Sequence, residues 1–249
     1  MTHPASAVAL VQCLWAEGFN QSEISRATGI NRSSIGEWIR HRRTPQHVAF
    51  DHAAGPCSTI DGVPRPQYAY LLGLYLGDGC LTACPRGVYK LRISCCDAYP
   101  HLMNMCEEAM LALLQNRVGR VHLQGCTELY SHSKHWICLF PQHAPGKKHL
   151  RSIVLEPWQQ AIVEEHPKEL LRGLVHSDGC RSLNTVRRGA SHHSYWRYQF
   201  TNASADIRGI FCHACDLLGI DWRQMNARNI SVARRASVEF MDTFIGPKA

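Results

Sequence analysis

The sequence predicts an α+β protein, on three observations. A nine-residue stretch occurs twice, Leu71-Leu72-Gly73-Leu74-Tyr75-Leu76-Gly77-Asp78-Gly79 and Leu171-Arg172-Gly173-Leu174-Val175-His176-Ser177-Asp178-Gly179, at a constant offset of 100 residues. Each copy is followed by alternating strand and helix patterns in the same order. A helical segment with a basic end precedes both. An internal repeat decides the fold more firmly than any local propensity does.

Residues 5–43 predict three short helices. Ala7, Val8, Leu10, Val11, Leu14 and Trp15 form an apolar stripe that ends at Glu17-Gly18-Phe19. Asn20 caps a second helix, Gln21–Thr28, with Glu23 as its capping-box partner. Gly29 makes the turn, and Asn31 caps a third helix, Arg32–Arg43, with Ile35, Trp38 and Ile39 inward. Ser22 to Ile39 resembles a helix-turn-helix of the resolvase or transposase type. In that motif the last helix enters the major groove, and Arg32, Ser33, Ser34, Arg40 and Arg42 would face DNA. Glu37 on the same face weakens the DNA case, and a small interaction module is the bland alternative. Residues 44–66 predict a linker, broken by Pro45, Pro56, Pro64 and Pro66.

The repeated stretch predicts a helix in each copy. Leu71, Leu74 and Tyr75 share one face, as do Leu170, Leu171, Leu174 and Val175. Gly79 and Gly179 are expected as left-handed caps. Gly73 and Gly77, and Gly173 and Ser177, stand one turn apart. Small residues at that spacing let two helix backbones approach, which would bring Asp78 and Asp178 together. A carboxylate at a helix C-terminus is disfavoured by the macrodipole, and two close carboxylates repel. A divalent cation reverses both penalties, and carboxylates with helix carbonyls are the oxygen ligands magnesium accepts.

With these two motifs the chain resembles the LAGLIDADG (dodecapeptide) homing endonuclease family, in its single-chain form with two repeats. The resemblance covers roughly residues 67–245. It implies an αββαββα repeat, used twice about a pseudo-twofold axis, whose strands form a saddle on DNA. It implies metal binding by Asp78 and Asp178, with the carbonyls of Gly77 and Ser177 as further ligands and Mg2+ or Mn2+ as the cofactor. The bland reading, in which Asp-Gly merely punctuates an apolar helix, leaves the recurrence of the internal glycine unexplained.

The remaining elements follow in duplicate. Cys80–Cys84 and Val88–Cys95 predict a hairpin turning at Pro85-Arg86-Gly87, with Lys90 and Arg92 on one face. Residues 98–115 predict a helix, and Gly119–Leu123 with Leu129–Leu139 a second hairpin. Pro141–Lys148 is a basic loop, and Glu156–Glu165 a bridging helix. After the second motif come Arg181–Arg188 and Ser194–Asn202, then a helix at 204–218. Trp222–Arg228 and Asn229–Arg234 follow as a short hairpin, then a helix at 235–245. Domain boundaries are therefore expected at 1–43, 44–66, 67–155, 156–166 and 167–249, with two αββαββα units after the linker.

The 249 residues carry 27 Lys and Arg against 20 Asp and Glu, a net charge of +7 that favours polyanionic partners. Met1-Thr2-His3-Pro4 lacks the basic and apolar regions of a secretory signal, and no run reaches the length of a membrane span. A cytoplasmic location with reduced thiols is expected for the 12 cysteines. Cys212 and Cys215 lie in an apolar helical pattern and are read as core filler.

Phosphodiester hydrolysis needs an activated water, a Lewis acid and stabilisation of the leaving oxygen. The resemblance places helpers on strands beside the motif aspartates. Asn202 is then a water-orienting residue, Cys95 stands at its matching place, and Lys134 and Arg234 are the basic candidates. Ordinary strand residues are the bland reading for each. Lys90, Arg92, Arg187, Arg197, Arg223 and Arg228 are candidate DNA contacts. The expected function is a sequence-specific, metal-dependent endonuclease on double-stranded DNA, a hydrolase acting as a monomer with internal pseudo-twofold symmetry. The alternative is a non-cleaving DNA-binding transcriptional regulator that keeps the fold. Some bacterial regulators combine such a domain with a helix-turn-helix, at the other end of the chain.

Overall fold

The second helix forms where a capping box begins it. In this computed structural model, which describes residues 5–40, 58–188 and 191–246, the chain divides into one unit within residues 1–56 and another from residue 57 onward. The first unit holds α1 (Ala5–Ala16), α2 (Gln21–Thr28) and α3 (Arg32–Arg40). The Asn20 side chain accepts from the backbone of Ser22 and Glu23 at 3.0 and 3.1 Å, and Glu23 returns a bond to the Asn20 N–H at 2.8 Å. Two orphan donors of α2 are thereby satisfied. Gly29 ends the helix at φ +69°, a left-handed conformation that glycine adopts without steric cost. Val11, Ile24, Ile30, Ile35 and Ile39 form this unit's own core. Arg42 lies outside the described residues.

The second unit opens with α4 (Ser58–Asp61) and the first motif helix, α5 (Arg65–Asp78). The expected linker extended to residue 66, but Pro66 sits in the first turn of α5, where a missing N–H costs nothing. Next come β1 (Gly79–Ala83), β2 (Tyr89–Cys96), α6 (Pro100–Leu113), β3 (Val118–Leu123), β4 (Cys126–Ser133) and α7 (Trp136–Leu139). The bridging α8 (Pro157–Glu165) leads into the second motif helix, α9 (Pro167–Asp178). The order then repeats as β5 (Gly179–Arg188), β6 (Ser191–Thr201), α10 (Ala205–Leu217), β7 (Arg223–Gln224), β8 (Asn229–Val232) and α11 (Arg235–Ile245).

Each half thus builds a four-stranded antiparallel sheet, ordered β1-β2-β4-β3 and β5-β6-β8-β7. Strand parity sorts the side chains. Leu91, Ile93 and Leu129 in the first sheet, and Tyr198, Phe200 and Ile230 in the second, are buried in one core. Lys90 and Arg92 alternate onto the opposite, outer face of the first sheet, and Arg197 and Arg223 onto that of the second. The second hairpin is the longer: β5 and β6 have 10 and 11 residues, β1 and β2 have 5 and 8.

Two further expectations change. The strand predicted to reach Leu139 stops at Ser133, because Trp136, Leu139 and Phe140 are fully buried at helical spacing. Phe140 stacks on Tyr75 of α5 with ring centroids 4.3 Å apart, which fixes α7 against the motif helix. Neither motif glycine is left-handed. Gly79 and Gly179 have φ −86° and −104° and pass straight from helix into strand. Their need for glycine is steric: a Cβ would lie 2.4 Å from Tyr75 Cα and 2.6 Å from Val175 Cα. Cys212 and Cys215 are buried in the core, and burial pushes both thiols up. Among the described residues no helix is long and apolar enough to cross a membrane.

Candidate active site

The two motif helices are joined at their small residues. Every residue of α5 from Tyr68 to Leu76 is buried, so this helix lies inside the core rather than on it. A Cβ on Gly173 would stand 2.2 Å from the Tyr70 carbonyl oxygen, and one on Gly73 2.7 Å from the Leu174 nitrogen. One turn on, a Cβ on Gly77 would collide with Ser177 and lie 3.1 Å from Asp178 Oδ2. Ser177 Oγ donates within its own helix to Gly173 and Leu174 carbonyls at 3.0 Å each, and across the seam to Gly73 O at 3.5 Å. The spacing of small residues therefore does what it predicted. Asp178 reaches the end of the neighbouring helix.

A cation that sequence reasoning missed stands at this seam. Lys148, in the loop after α7, donates from Nζ to three carbonyls at the end of α5: Tyr75, Leu76 at 2.9 Å and Gly77 at 2.8 Å. The ammonium also lies 5.1 Å from the Tyr75 ring centroid. Burial pushes Lys148 down to about 8, while the charges of Asp178 and Asp78 pull it back up. Both motif carboxylates thus act on one ammonium at the negative end of a helix. The available signal was the repeat itself: Lys248 follows Lys148 by the same 100 residues as the motifs. Lys248 lies outside the described residues.

The surroundings of the two acids differ. Asn202 Nδ2 donates to Asp178 Oδ2 at 2.6 Å, which brings together two residues expected at one site. Asp78 instead borders a cavity of about 60 Å³ with Ser94, Cys95, His176 and Ser177. His176 is buried and held between Tyr70 Oη at 3.1 Å and the Ile245 carbonyl at 2.9 Å.

The other expected residues scatter. Lys134 is exposed just past the end of β4, and Arg234 caps α11 and pairs with Asp221 at 2.8 Å. Neither is on a strand. Lys90 stands over Tyr130, 4.1 Å from the ring centroid, and Arg92 pairs with Glu128 at 3.2 Å. Arg187 pairs in register with His192, on the face opposite to Arg197 and its neighbour Ser182. Arg228 lies in the turn before β8, where its carbonyl accepts from the Asn202 N–H at 3.0 Å. In α3, Arg32 is exposed and Ser34 half-buried, and Ser33 and Arg40 belong to the same helix.

Among the described residues no group of three or more His, Cys, Asp and Glu converges. A metal here would rest on two carboxylates and backbone carbonyls. That donor set suits a hard divalent cation. The Gly77 carbonyl already accepts from the Lys148 ammonium at 2.8 Å, so this helix end attracts positive charge.

No family model matches the chain, and no curated protein matches it. Solved structures do. The chain is similar to the N-terminal LAGLIDADG domain of DUF199/WhiA, at 14% identity and TM-score 0.45, over 76% of this chain and 87% of that one. The LAGLIDADG meganuclease I-AabMI bound to uncleaved DNA is similar at 12% identity and TM-score 0.46, over 71% and 82%. The homing endonuclease I-DmoI in complex with DNA and Mn is similar at 14% identity and TM-score 0.44, over 74% and 99%.

Proposed function

We propose that this chain is a sequence-specific, divalent-metal-dependent endonuclease of homing type that hydrolyses phosphodiesters of double-stranded DNA. The observation that carries the reading is the seam: two repeated helices touching backbone to backbone, whose terminal aspartates share one ammonium. A purely binding protein has no need of two acids at a crowded negative helix end. The outer faces of the two sheets would take the duplex, with Lys90, Arg92, Arg197, Arg223 and Arg228 against phosphates and base edges. The α2–α3 pair would act as a helix-turn-helix, with Arg32, Ser33, Ser34, Arg40 and Arg42 lengthening the site read. A cytoplasmic monomer with internal pseudo-twofold symmetry completes the proposal.

Mg2+ or Mn2+ would be held by Asp78 and Asp178 with the Gly77 and Ser177 carbonyls, and would supply Lewis acidity and an acidified water. The chain's own groups do the rest. Asn202 fixes the rotamer of Asp178. Lys148, whose three N–H groups hold the Tyr75, Leu76 and Gly77 carbonyls, offsets negative charge at the end of α5 beside the two acids. The seam helices exclude water from behind the site.

A non-cleaving DNA-binding regulator is the second reading, and Cys95 at the place of Asn202 is the observation that favours it. Cleavage selection on a randomised duplex library with Mg2+ tests both. Cutting abolished by Asp78→Asn and by Asp178→Asn, with binding kept, supports the nuclease. Tight specific binding without cutting under any divalent ion would establish the regulator.

A further inference from the structure

Two cysteines face each other across the first sheet. In the register of β2 and β4, Cys96 stands directly opposite Cys126. Strand parity puts both on the outer face, because their neighbours Cys95 and Thr127 are buried toward the core. Both are free thiols, Cys96 exposed and Cys126 half-buried. Cys96 also borders the small cavity beside Asp78.

The hydrogen bonds around the pair decide its geometry. The Asp97 N–H donates to the Gly125 carbonyl at 3.4 Å, one residue beyond Cys96 and one before Cys126. That pattern makes Cys96 and Cys126 a non-hydrogen-bonded pair, the kind whose opposing Cα atoms stand about 4.5 Å apart. Disulfides span Cα separations of about 4.4–6.8 Å. The strand ends are also pinned here: Thr127 Oγ1 donates to Asp97 Oδ1 at 2.7 Å and meets His122 Nδ1 at 2.9 Å. A bridge can therefore close by side-chain rotation, with the strands left in place.

The neighbouring thiols are placed apart. Cys80 lies opposite Arg92, four residues back along β2 from Cys96, or about 13 Å at the rise of a strand. Cys95 points to the other face and shares a hydrogen bond with Cys106 of α6. The fold itself asks for no thiol at either place. Gly79 pairs with Ile93 and Gly179 with Phe200, so the equivalent positions of the second repeat are Ala203 and Ala227.

We infer that Cys96 and Cys126 are a reversible redox site, oxidised to a cross-strand bridge by a low-molecular-weight disulfide such as glutathione disulfide. The more exposed Cys96 sulfur attacks a reagent sulfur, the reagent's S–S bond breaks, and one glutathione thiol leaves. Cys126 then attacks the Cys96 sulfur, the mixed disulfide breaks, and the second glutathione thiol leaves. Two protons and two electrons pass from the protein thiols to the reagent. The bridge ties the β3–β4 hairpin to β2 beside the Asp78 cavity, and closes a loop that contains all of α6 and β3. The inference goes beyond the nuclease reading and holds whether the chain cuts DNA or only binds it.

The test takes the full chain, fully reduced, into glutathione buffers of rising oxidised fraction. Remaining thiols are alkylated and the digest is mapped by mass spectrometry. A peptide pair joined through Cys96 and Cys126 should appear, and dithiothreitol should remove it. The bridged protein should melt about 5 °C or more above the reduced form, because loop closure constrains the unfolded chain. Cys126→Ser should instead retain glutathione on Cys96, which the wild type resolves. Cys96→Ser should show neither the bridge nor the rise in melting temperature. Circular dichroism of the reduced variants checks their folding, and should either fail to fold, the map of the wild type decides. A stable glutathione adduct on wild-type Cys96 would overturn the inference. So would a bridge from Cys96 to any other cysteine, or two thiols still alkylated in the most oxidising buffer.

Discussion

Gly73 and Gly173 meet with no room for a side chain: a Cβ on Gly73 would lie 2.8 Å from Gly173 Cα, and one on Gly173 3.0 Å from Gly73 Cα. The obstructing atoms are backbone, which cannot rotate away. Gly173→Ala, aimed at the Tyr70 carbonyl, should therefore exceed the usual overpacking cost of about 1–3 kcal/mol. Gly209→Ala is the contrast. Gly209 is inside α10 with nothing within 4 Å of its Cβ position, so helix propensity should stabilise the protein by about 1 kcal/mol. Urea unfolding of the two variants measures both.

Lys148→Met should destabilise the metal-free protein. It removes a donor from three carbonyls of α5, of which Tyr75 keeps the Gly79 N–H, and takes a counter-charge from two carboxylates. Leaving buried acceptors unsatisfied costs on the order of 1–3 kcal/mol. Adding Mg2+ should recover part of the loss. Thermal melts in chelator and in millimolar Mg2+ check it, and a loss identical in both would separate the lysine from the metal.

Acid sensitivity should concentrate at Asp242. Burial raises its carboxyl, but the hydrogen bonds from Arg181 and Tyr198 outweigh that and hold it below its ordinary value of 3.8. The Arg181 pair is bidentate, at 2.7 and 2.8 Å, and Tyr198 donates at 2.6 Å. A depressed acid contributes stability that is complete above its unfolded value and lost as pH falls through the folded one. Asp242→Asn should thus be the less stable protein at pH 5–7, and the gap should close below about pH 4. Unfolding midpoints across that range read it directly.

Binding to DNA should weaken steeply with salt, since phosphate contacts release counterions. Arg197→Gln and Arg223→Gln, on the outer face of the second sheet, should each lower the log–log salt slope by about 1. Arg187→Gln, on the opposite face of its strand from Arg197, should leave the slope nearly unchanged. Fluorescence anisotropy across a salt series separates the three.

Much of this was legible because the informative signals are periodic. The spacing of Gly73, Gly77, Gly173 and Ser177 announced a close helix pair, and Asn20 with Glu23 announced a cap. The hairpin turn at Pro85–Gly87 and the final helix Arg235–Ile245 were equally plain. What escaped lacked a local signal. The glycine after each aspartate looks like a helix cap, and only a neighbour's Cα in space shows that it makes room for a strand. Trp136 alternates with serines in sequence, yet its burial belongs to a helix. Lys148 reaches the seam from 70 residues beyond Asp78, across a loop whose path no pattern encodes. Asn202 could be placed beside Asp178 because the repeat supplied the comparison that a single motif would not.

The unequal hairpins have a geometric consequence. β5 is five residues longer than β1, so at roughly 3.3 Å per residue it is a paired strand about 16 Å longer. Were the proposed duplex to run along it, at about 3.4 Å per base pair, the longer strand would lie beside roughly five more base pairs than its counterpart. With two sheets of unequal reach, the proposed footprint would be lopsided, extending further from the paired aspartates on the side of β5 and β6.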